Sequence, residues 1–541
     1  YIYKLLVMST FSGILRTGVN NYTFKNWANI YQIKPELYFQ PSSIEEVQEI
    51  VNECNKNGKT LTVVGSGHSP SDMCLSKDYL LNLDNMSEVL SFKKYDGYAD
   101  IEVEAGIRIF QLNEYLDKQG YNMQNLGSIS EQSAAGIIST GTHGSSSLHS
   151  LVSSQYVNLT LVNGKGELVY CDEKENPEIF KAALLSLGKI GIIVKATIRA
   201  IPKYNIKSVQ EVINFETLLE NWDNIWCSSE FIRCWWYPYN RKCVLWRGSK
   251  TEEPVSTTVR KSWWGTTIGR YSYELMLYVA VTVFPRLTPY IEKFVFTNQF
   301  GVVETFSKNP EISVSSENEK SALSCVQTSI DGLNMDCLFS QFVDEWNCPL
   351  SNGPDVLRKL DEAITKAAQN NEYYVHVPME VRCSNTTIPD KHPDYSKRTE
   401  TSAGPVYGNL VRPFLDPTTT SLEYSEKVTN DQLTLYINAT IYRPFGYNTP
   451  IRSWFSAFEK ILIEGKGKPH WAKNFIGDIS MLPKDQKPKN KYKDYDMYGM
   501  ASLFKEWFGP RLTEWQNVRT KQDPNNIFLA NKEWCERNGL I

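Results

Sequence analysis

An α+β chain of two units is predicted by three observations. From Ser43 to Ser69 a helical pattern, a strand pattern and a glycine loop follow one another; residues 127–147 are dominated by Gly, Ala, Ser and Thr; and after Pro202 the composition turns aromatic. The length of 541 residues also exceeds one ordinary core, since domains commonly run to roughly 100–200 residues.

The first helix is expected to open at Ser43-Ile44-Glu45-Glu46, which reads as a capping box. Its apolar positions Ile44, Val47, Ile50, Val51 and Cys54 recur at helical spacing, and Gly58 supplies the stop. Thr60–Val64 is β-branched and runs directly into Gly65-Ser66-Gly67-His68-Ser69-Pro70, so the glycine loop sits at a strand end. Asp100–Val103, Gln155–Val162 and Ile190–Ile201 read as further strands and Ile109–Gln119 as a helix. Trp222, Trp226, Trp235, Trp236, Trp246, Trp263 and Trp264 then argue for an aromatic core in a second unit, which divides the chain into 34–204 and 205–541. Residues 386–405 and 483–495, polar and rich in turn formers, are expected as exposed loops.

Composition excludes several classes. Hydrophobic residues at 41% and charged residues at 22% are those of a folded chain, and 57 basic against 61 acidic residues leave no footprint for nucleic acid. Eleven cysteines without a CxxC pair signal neither a zinc ribbon nor a disulfide framework, which suits a reducing compartment. Asn21, Asn85, Asn158, Asn385 and Asn438 open glycosylation triplets, but Tyr1 to Val7 has no secretory-signal pattern. The apolar run Leu275–Phe284 is too short for the ~20 residues of a membrane span. It reads as a core helix or, in the alternative, as an interfacial segment.

The glycine loop is neither a dinucleotide fingerprint nor a P-loop, because G-x-G-x-x-G and Gly-Lys-Ser/Thr are both missing. Its free amides could still hold a pyrophosphate. His68, between small neighbours, would be exposed to a ligand, although a structural or solvated histidine fits the loop equally. Six histidines without His-x-x-x-His spacing give no metal site, and His143 in Gly141-Thr142-His143-Gly144 reads as a loop-shaping residue. Glu380 and Arg382 alternate on a strand pattern and would share one face, as a substrate clamp or as a surface ion pair. His470 and Lys473 would lie one turn apart if a helix began after Pro469.

Motifs along nearly the whole chain raise the functional readings. Phe24-Lys25-Asn26-Trp27-Ala28, Gly65–Ser69, Asn125-Leu126-Gly127-Ser128-Ile129-Ser130-Glu131-Gln132-Ser133, Gly188–Val194, Glu380–Arg382, His470–Lys473 and Asp523–Phe528 occur in this order. In them the chain resembles the D-arabinono-1,4-lactone oxidases of yeasts, an aldonolactone oxidoreductase branch of the vanillyl-alcohol oxidase flavoproteins.

The resemblance implies a two-subdomain FAD-binding domain and a substrate-binding cap domain with an antiparallel sheet. It implies FAD bonded covalently through His68, with Gly65, Ser66, Gly67, Ser69, Ser130, Ser133, Gly141, Thr142 and Ile192 around the cofactor. Glu380 and Arg382 would position the lactone, and Lys473 with His470 would stand near flavin N1. Gly127, where oxygen-avoiding relatives carry alanine, implies an open path for O2. The expected reaction converts an aldono-1,4-lactone and O2 into D-erythroascorbate, or ascorbate from a six-carbon lactone, and hydrogen peroxide. The alternatives are a dehydrogenase that uses cytochrome c and a non-catalytic flavin-binding protein. Mitochondrial, membrane-associated localisation is likewise an expectation from resemblance.

Overall fold

The computed structural model describes residues 13–256, 262–306, 322–397, 404–418, 428–477 and 498–541. Helix α1 (Ile44–Asn57) begins where Ser43 Oγ accepts the Glu46 N–H at 3.2 Å and ends at Gly58, whose φ is 62°. Glu46 reaches back to the Ser42 N–H, at 2.7 Å, rather than to that of Ser43. The buried stripe Val47, Ile50, Val51 and Cys54 packs on a three-stranded parallel sheet. Its strands are β1 (Leu37–Phe39), β2 (Leu61–Val64) and β3 (Tyr79–Asn82), in the order β1-β3-β2. The C-terminal segment returns here: the Leu61 N–H donates to Ile527 O, and Ile527 and Phe528 join this core. The division at residue 204 therefore describes strand membership but not packing.

The second sheet is antiparallel. It is built from β4 (Val89–Lys94), β5 (Ala99–Glu104), β6 (Tyr156–Val162), β7 (Leu168–Cys171) and β8 (Ile192–Pro202), ordered β7-β6-β8-β5-β4. Helices α2 (Ile109–Gln119) and α3 (Ala134–Ser139) bury Leu112, Leu116, Ile137 and Ile138 in the core of this sheet. The expected strands and helix of this region are present with ends shifted by one or two residues, as helix and strand ends commonly are.

The chain changes sheet between Pro202 and Asn205. The third sheet holds β9 (Asn205–Asn214), β10 (Phe231–Tyr237), β11 (Lys242–Thr251), β12 (Ala322–Thr328), β13 (Gln341–Pro349), β14 (Met379–Asn385), β15 (Leu433–Tyr442) and β16 (Lys468–Pro469). All neighbours are antiparallel, in the order β12-β9-β11-β10-β14-β15-β13-β16. Directly opposed residues share a face. Arg233 opposes both Trp246 and Arg382, Arg382 opposes Tyr436, Trp235 opposes Glu380, and Glu345 opposes Asn438. These side chains therefore occupy one face of the sheet.

Helices α4 (Thr267–Thr282) and α5 (Thr288–Phe300) pair with each other, and Phe296 of α5 packs on Val212 and Val244 of the sheet. The opposite face packs Cys234, Trp236, Val381 and Ile437 with Leu357 and Leu360 of α6 (Gly353–Asn370) and Phe458 of α7 (Arg452–Glu464).

The apolar run at Leu275–Phe284 is only half a core helix. Tyr273, Leu277 and Ala280 are buried, whereas Tyr271 (62%), Leu275 (55%) and Phe284 (58%) are exposed. Among the described residues no helix is long and apolar enough to cross a membrane. The aromatic core is formed by Trp222, Trp226 and Trp236, but Trp263 is 49% exposed. The loop expected at 386–405 begins buried at Thr386 and Thr387; Thr387 bonds to the Asn385 side chain, which ties the loop start to the sheet. Residues 398–403 of that loop, and 483–495, lie outside the described residues.

Candidate active site

One pocket lies where the large sheet meets the first two. Its wall includes Gly65, Ser66, Gly67, His68, Ser69, Gly127, Ser133, Thr142 and Ile192 from the N-terminal unit, and Glu345, Arg382, His470 and Lys473 from the other. Ser130, Gly141 and Glu380 stand off this wall. Gly141 turns with φ 77°, the Ser130 carbonyl accepts the Phe110 N–H, and Glu380 lies 3.5 Å behind Arg382.

The glycine loop leaves the end of β2 and turns at Gly67, where φ is 70° and a Cβ would meet Phe24 at 3.1 Å. Among the described residues, the backbone N–H groups of Ser66, Gly67, His68 and Ser69 donate to no protein acceptor. Four uncommitted donors at a strand end form a cradle for an anion. Nearby, Gly106 packs so closely that a Cβ would stand 1.8 Å from Leu83 O. This donor-lined, side-chain-poor wall fits the diphosphate of a dinucleotide.

His68 projects from the loop with Nδ1 2.9 Å from Ser66 Oγ and its ring stacked on Trp27. Burial lowers its pKa, so the ring is neutral at neutral pH and Nε2 is left without a protein partner among the described residues. Ser69 Oγ donates to Ala472 O at 2.8 Å and Asn474 Nδ2 to Pro70 O at 2.9 Å. These bonds clamp the His68 loop to the segment that carries His470 and Lys473.

That segment is not a helix. Pro469 ends the short strand β16, and a turn follows in which the Lys473 N–H donates to His470 O at 3.1 Å. Trp471 overrides the helical pattern: its indole is buried against Phe504 and Phe508 and donates to Leu415 O at 2.8 Å. His470 Nδ1 accepts the Ala472 N–H, and burial pulls its pKa down to about 3, so its Nε2–H is a donor.

Glu345, Asn438, Ser128 and His143 surround Arg382 and Glu380, and none of the four was expected among the site residues. Glu345 Oε1 lies 2.8 Å from His143 Nε2, and Oε2 accepts from Arg382 Nη2 at 3.0 Å. Arg382 Nη1 donates to Ser128 Oγ at 2.8 Å. Burial would raise the Glu345 pKa, but Lys473 and Arg382 overcome it and hold the carboxyl well below its usual range. His143 stacks on Tyr436, and its Nδ1 faces Gly144 O. Burial lowers the His143 pKa, while the Glu345 hydrogen bond works in the opposite direction. Glu380 Oε2 accepts from Asn438 Nδ2 at 3.2 Å.

His143, Glu345 and His470 approach one another closely enough to hold a metal ion. Their chemistry argues otherwise. The His143–Glu345 hydrogen bond is already closed, and Arg382 occupies the other carboxylate oxygen, so a cation would enter beside a fixed guanidinium.

Residues 35–172 match the family model of an FAD binding domain. The fold is similar to a solvent-stable cholesterol oxidase, with TM-score 0.68 and 16% identity over 94% of this chain and 95% of that one. The cholesterol oxidase from B. sterolicum gives TM-score 0.66 and 13% identity over the same shares. Fold, pocket and family model define a flavoprotein with an FAD-binding domain.

Residues 196–538 match the D-arabinono-1,4-lactone oxidase family model. Proteins of that name from Kluyveromyces lactis and Saccharomyces cerevisiae are 62% and 58% identical. Each alignment spans 96% of this chain, and 98% and 97% of the respective relative. The chain belongs to the D-arabinono-1,4-lactone oxidase family.

Proposed function

We propose that the chain oxidises D-arabinono-1,4-lactone and similar aldono-1,4-lactones with FAD and O2. The products are D-erythroascorbate, or ascorbate from a six-carbon lactone, and hydrogen peroxide. One observation carries the reading: Arg382, fixed by Glu345 and Ser128, stands with Lys473 and His470 on the wall that the His68 loop closes.

FAD, when bound, supplies the hydride acceptor and passes the electrons to oxygen. His68, neutral and with Nε2 free, is the residue that would tether it. A lactone is uncharged, so its hydroxyl and ring oxygens are read by hydrogen bonds: Arg382 and the His470 Nε2–H donate. Glu380, held by Asn438 and lying behind Arg382 off the pocket wall, helps to position the lactone through that guanidinium. Lys473, which makes no ion pair among the described residues, adds positive charge where electron density gathers. Gly127 puts no side chain on the pocket wall, which favours oxygen as acceptor.

Anaerobic addition of D-arabinono-1,4-lactone should bleach the oxidised flavin spectrum, and air should restore it rapidly with release of hydrogen peroxide. An unbleached spectrum would sink the catalytic reading. Bleaching followed by slow reoxidation in air and fast reoxidation by cytochrome c would point to a dehydrogenase.

A second observation bears on location. The outward side chains of α4, α5 and the turn between them, Ile268, Tyr271, Leu275, Phe284, Tyr290 and Phe294, form an apolar surface in which each is more than half exposed. We propose that this surface rests on a membrane, the mitochondrial one in accord with the resemblance.

A further inference from the structure

Beyond the flavin pocket, a second cavity of about 440 Å3 opens on the same face of the large sheet, roofed by Ser262–Trp264 and the last residues of α5, Asn298–Phe300. Its volume lies within the roughly 300–1,000 Å3 typical of small-molecule sites. Trp235 forms part of its wall and directly opposes Glu380, so the cavity adjoins the substrate carboxylate. Trp246 and Gln210 form the next cross-strand pair of the wall, and Gln327 comes from the edge strand β12.

The described lining consists of aromatic, amide, hydroxyl and small apolar groups, without a charged side chain or a histidine. An ion buried here would find no charged side chain on the described lining itself, which disfavours charged ligands. An apolar ligand would leave polar groups unpaired. Trp264 Nε1 is buried without a partner, and the side-chain amides of Gln210 and Gln327 have none among the described residues. Flat indole faces suit the C–H faces of a saturated ring, and amides that both donate and accept suit its hydroxyls.

We infer that this chamber binds a second neutral polyhydroxylated ring, a lactone or a sugar, beside the one being oxidised. The identification of the ring with the substrate's own class rests on the lactone-oxidase reading; the neutrality and hydroxyl character rest on the lining alone. The chamber would hold the next lactone against Trp235 while the first occupies the flavin pocket.

The test uses anaerobic holoenzyme labelled with 5-fluorotryptophan, with the Trp246 fluorine resonance assigned through Trp246→Phe. Titration with D-arabinono-1,4-lactone should bleach the flavin and then, in a second saturable step, shift the Trp246 resonance. Gln210→Leu should weaken that second step about tenfold, the equivalent of one or two lost hydrogen bonds, with bleaching unchanged. A Trp246 resonance that stays fixed after bleaching, or shifts identically in Gln210→Leu, overturns the chamber. If the flavin does not bleach, the catalytic reading fails separately; D-arabinose as probe should still shift Trp246, and a fixed resonance then overturns the inference. A shift with toluene but with neither lactone nor sugar would also overturn it.

Discussion

Glu345 divides its carboxylate between His143 at 2.8 Å and Arg382 at 3.0 Å, and so joins the cofactor-binding unit to the substrate strand through one buried side chain. Breaking a buried pair by removing one charge typically costs about 3–5 kcal/mol. Glu345→Gln should therefore lower unfolding free energy by about 3 kcal/mol. It should also raise KM for the lactone, because Arg382 loses its fixed position. Denaturant melts and steady-state kinetics check this, and a variant unchanged in both contradicts the role.

A methyl group at Gly127 would stand 2.7 Å from Thr142 Cγ2. Gly127→Ala should slow reoxidation of the reduced flavin about tenfold, a barrier of about 1.4 kcal/mol, while reduction by lactone changes little. The double variant Gly127→Ala/Thr142→Ser removes the crowded methyl and should reoxidise as slowly without loss of stability. Stopped-flow mixing with air-saturated buffer separates the two steps.

Burial raises the Glu292 pKa to about 8, opposed by the hydrogen bond that Tyr273 donates at 2.6 Å. The folded value is above the ordinary 4.5, so the protonated acid is the stabilised form. Its contribution is complete below pH 4.5 and is lost as pH rises through about 8. Melting temperature should fall between about pH 5 and 8 in the wild type, and Glu292→Gln should flatten that fall. An equal fall in both would show that other groups govern it.

Leu275→Asp/Phe284→Asp should abolish co-sedimentation with vesicles that carry cardiolipin, with activity in detergent-free buffer preserved. Each substitution removes roughly 2 kcal/mol of apolar transfer free energy and adds a charge. Retained binding would assign attachment to another surface.

The parts of this site that lie in one short segment were legible in the sequence. The glycine loop follows its strand without a break, and strand alternation alone puts Glu380 and Arg382 on one face. Glu345 was hidden because its partners come from residues 202 and 37 positions away. Its one local signal was Asp344-Glu345 within a strand that otherwise reads as buried. Such a pair of acids needs partners from elsewhere in the chain, and Arg382 and His143 supply those of Glu345. The helix considered after Pro469 does not form, because propensity could not register that Trp471 would be drawn into the core. The exposed side of α4 was illegible for a related reason: an apolar run does not show which of its faces finds a partner.

On the proposed reading, the loop at the end of β2 holds FAD and His68 bonds to it. Acid precipitation of the native protein, proteolysis and mass analysis of the peptide containing His68 test it directly. Flavin should remain on that peptide, and His68→Ala should release it into the supernatant. Free flavin in the supernatant of the native protein, with an unmodified His68 peptide, would contradict the account.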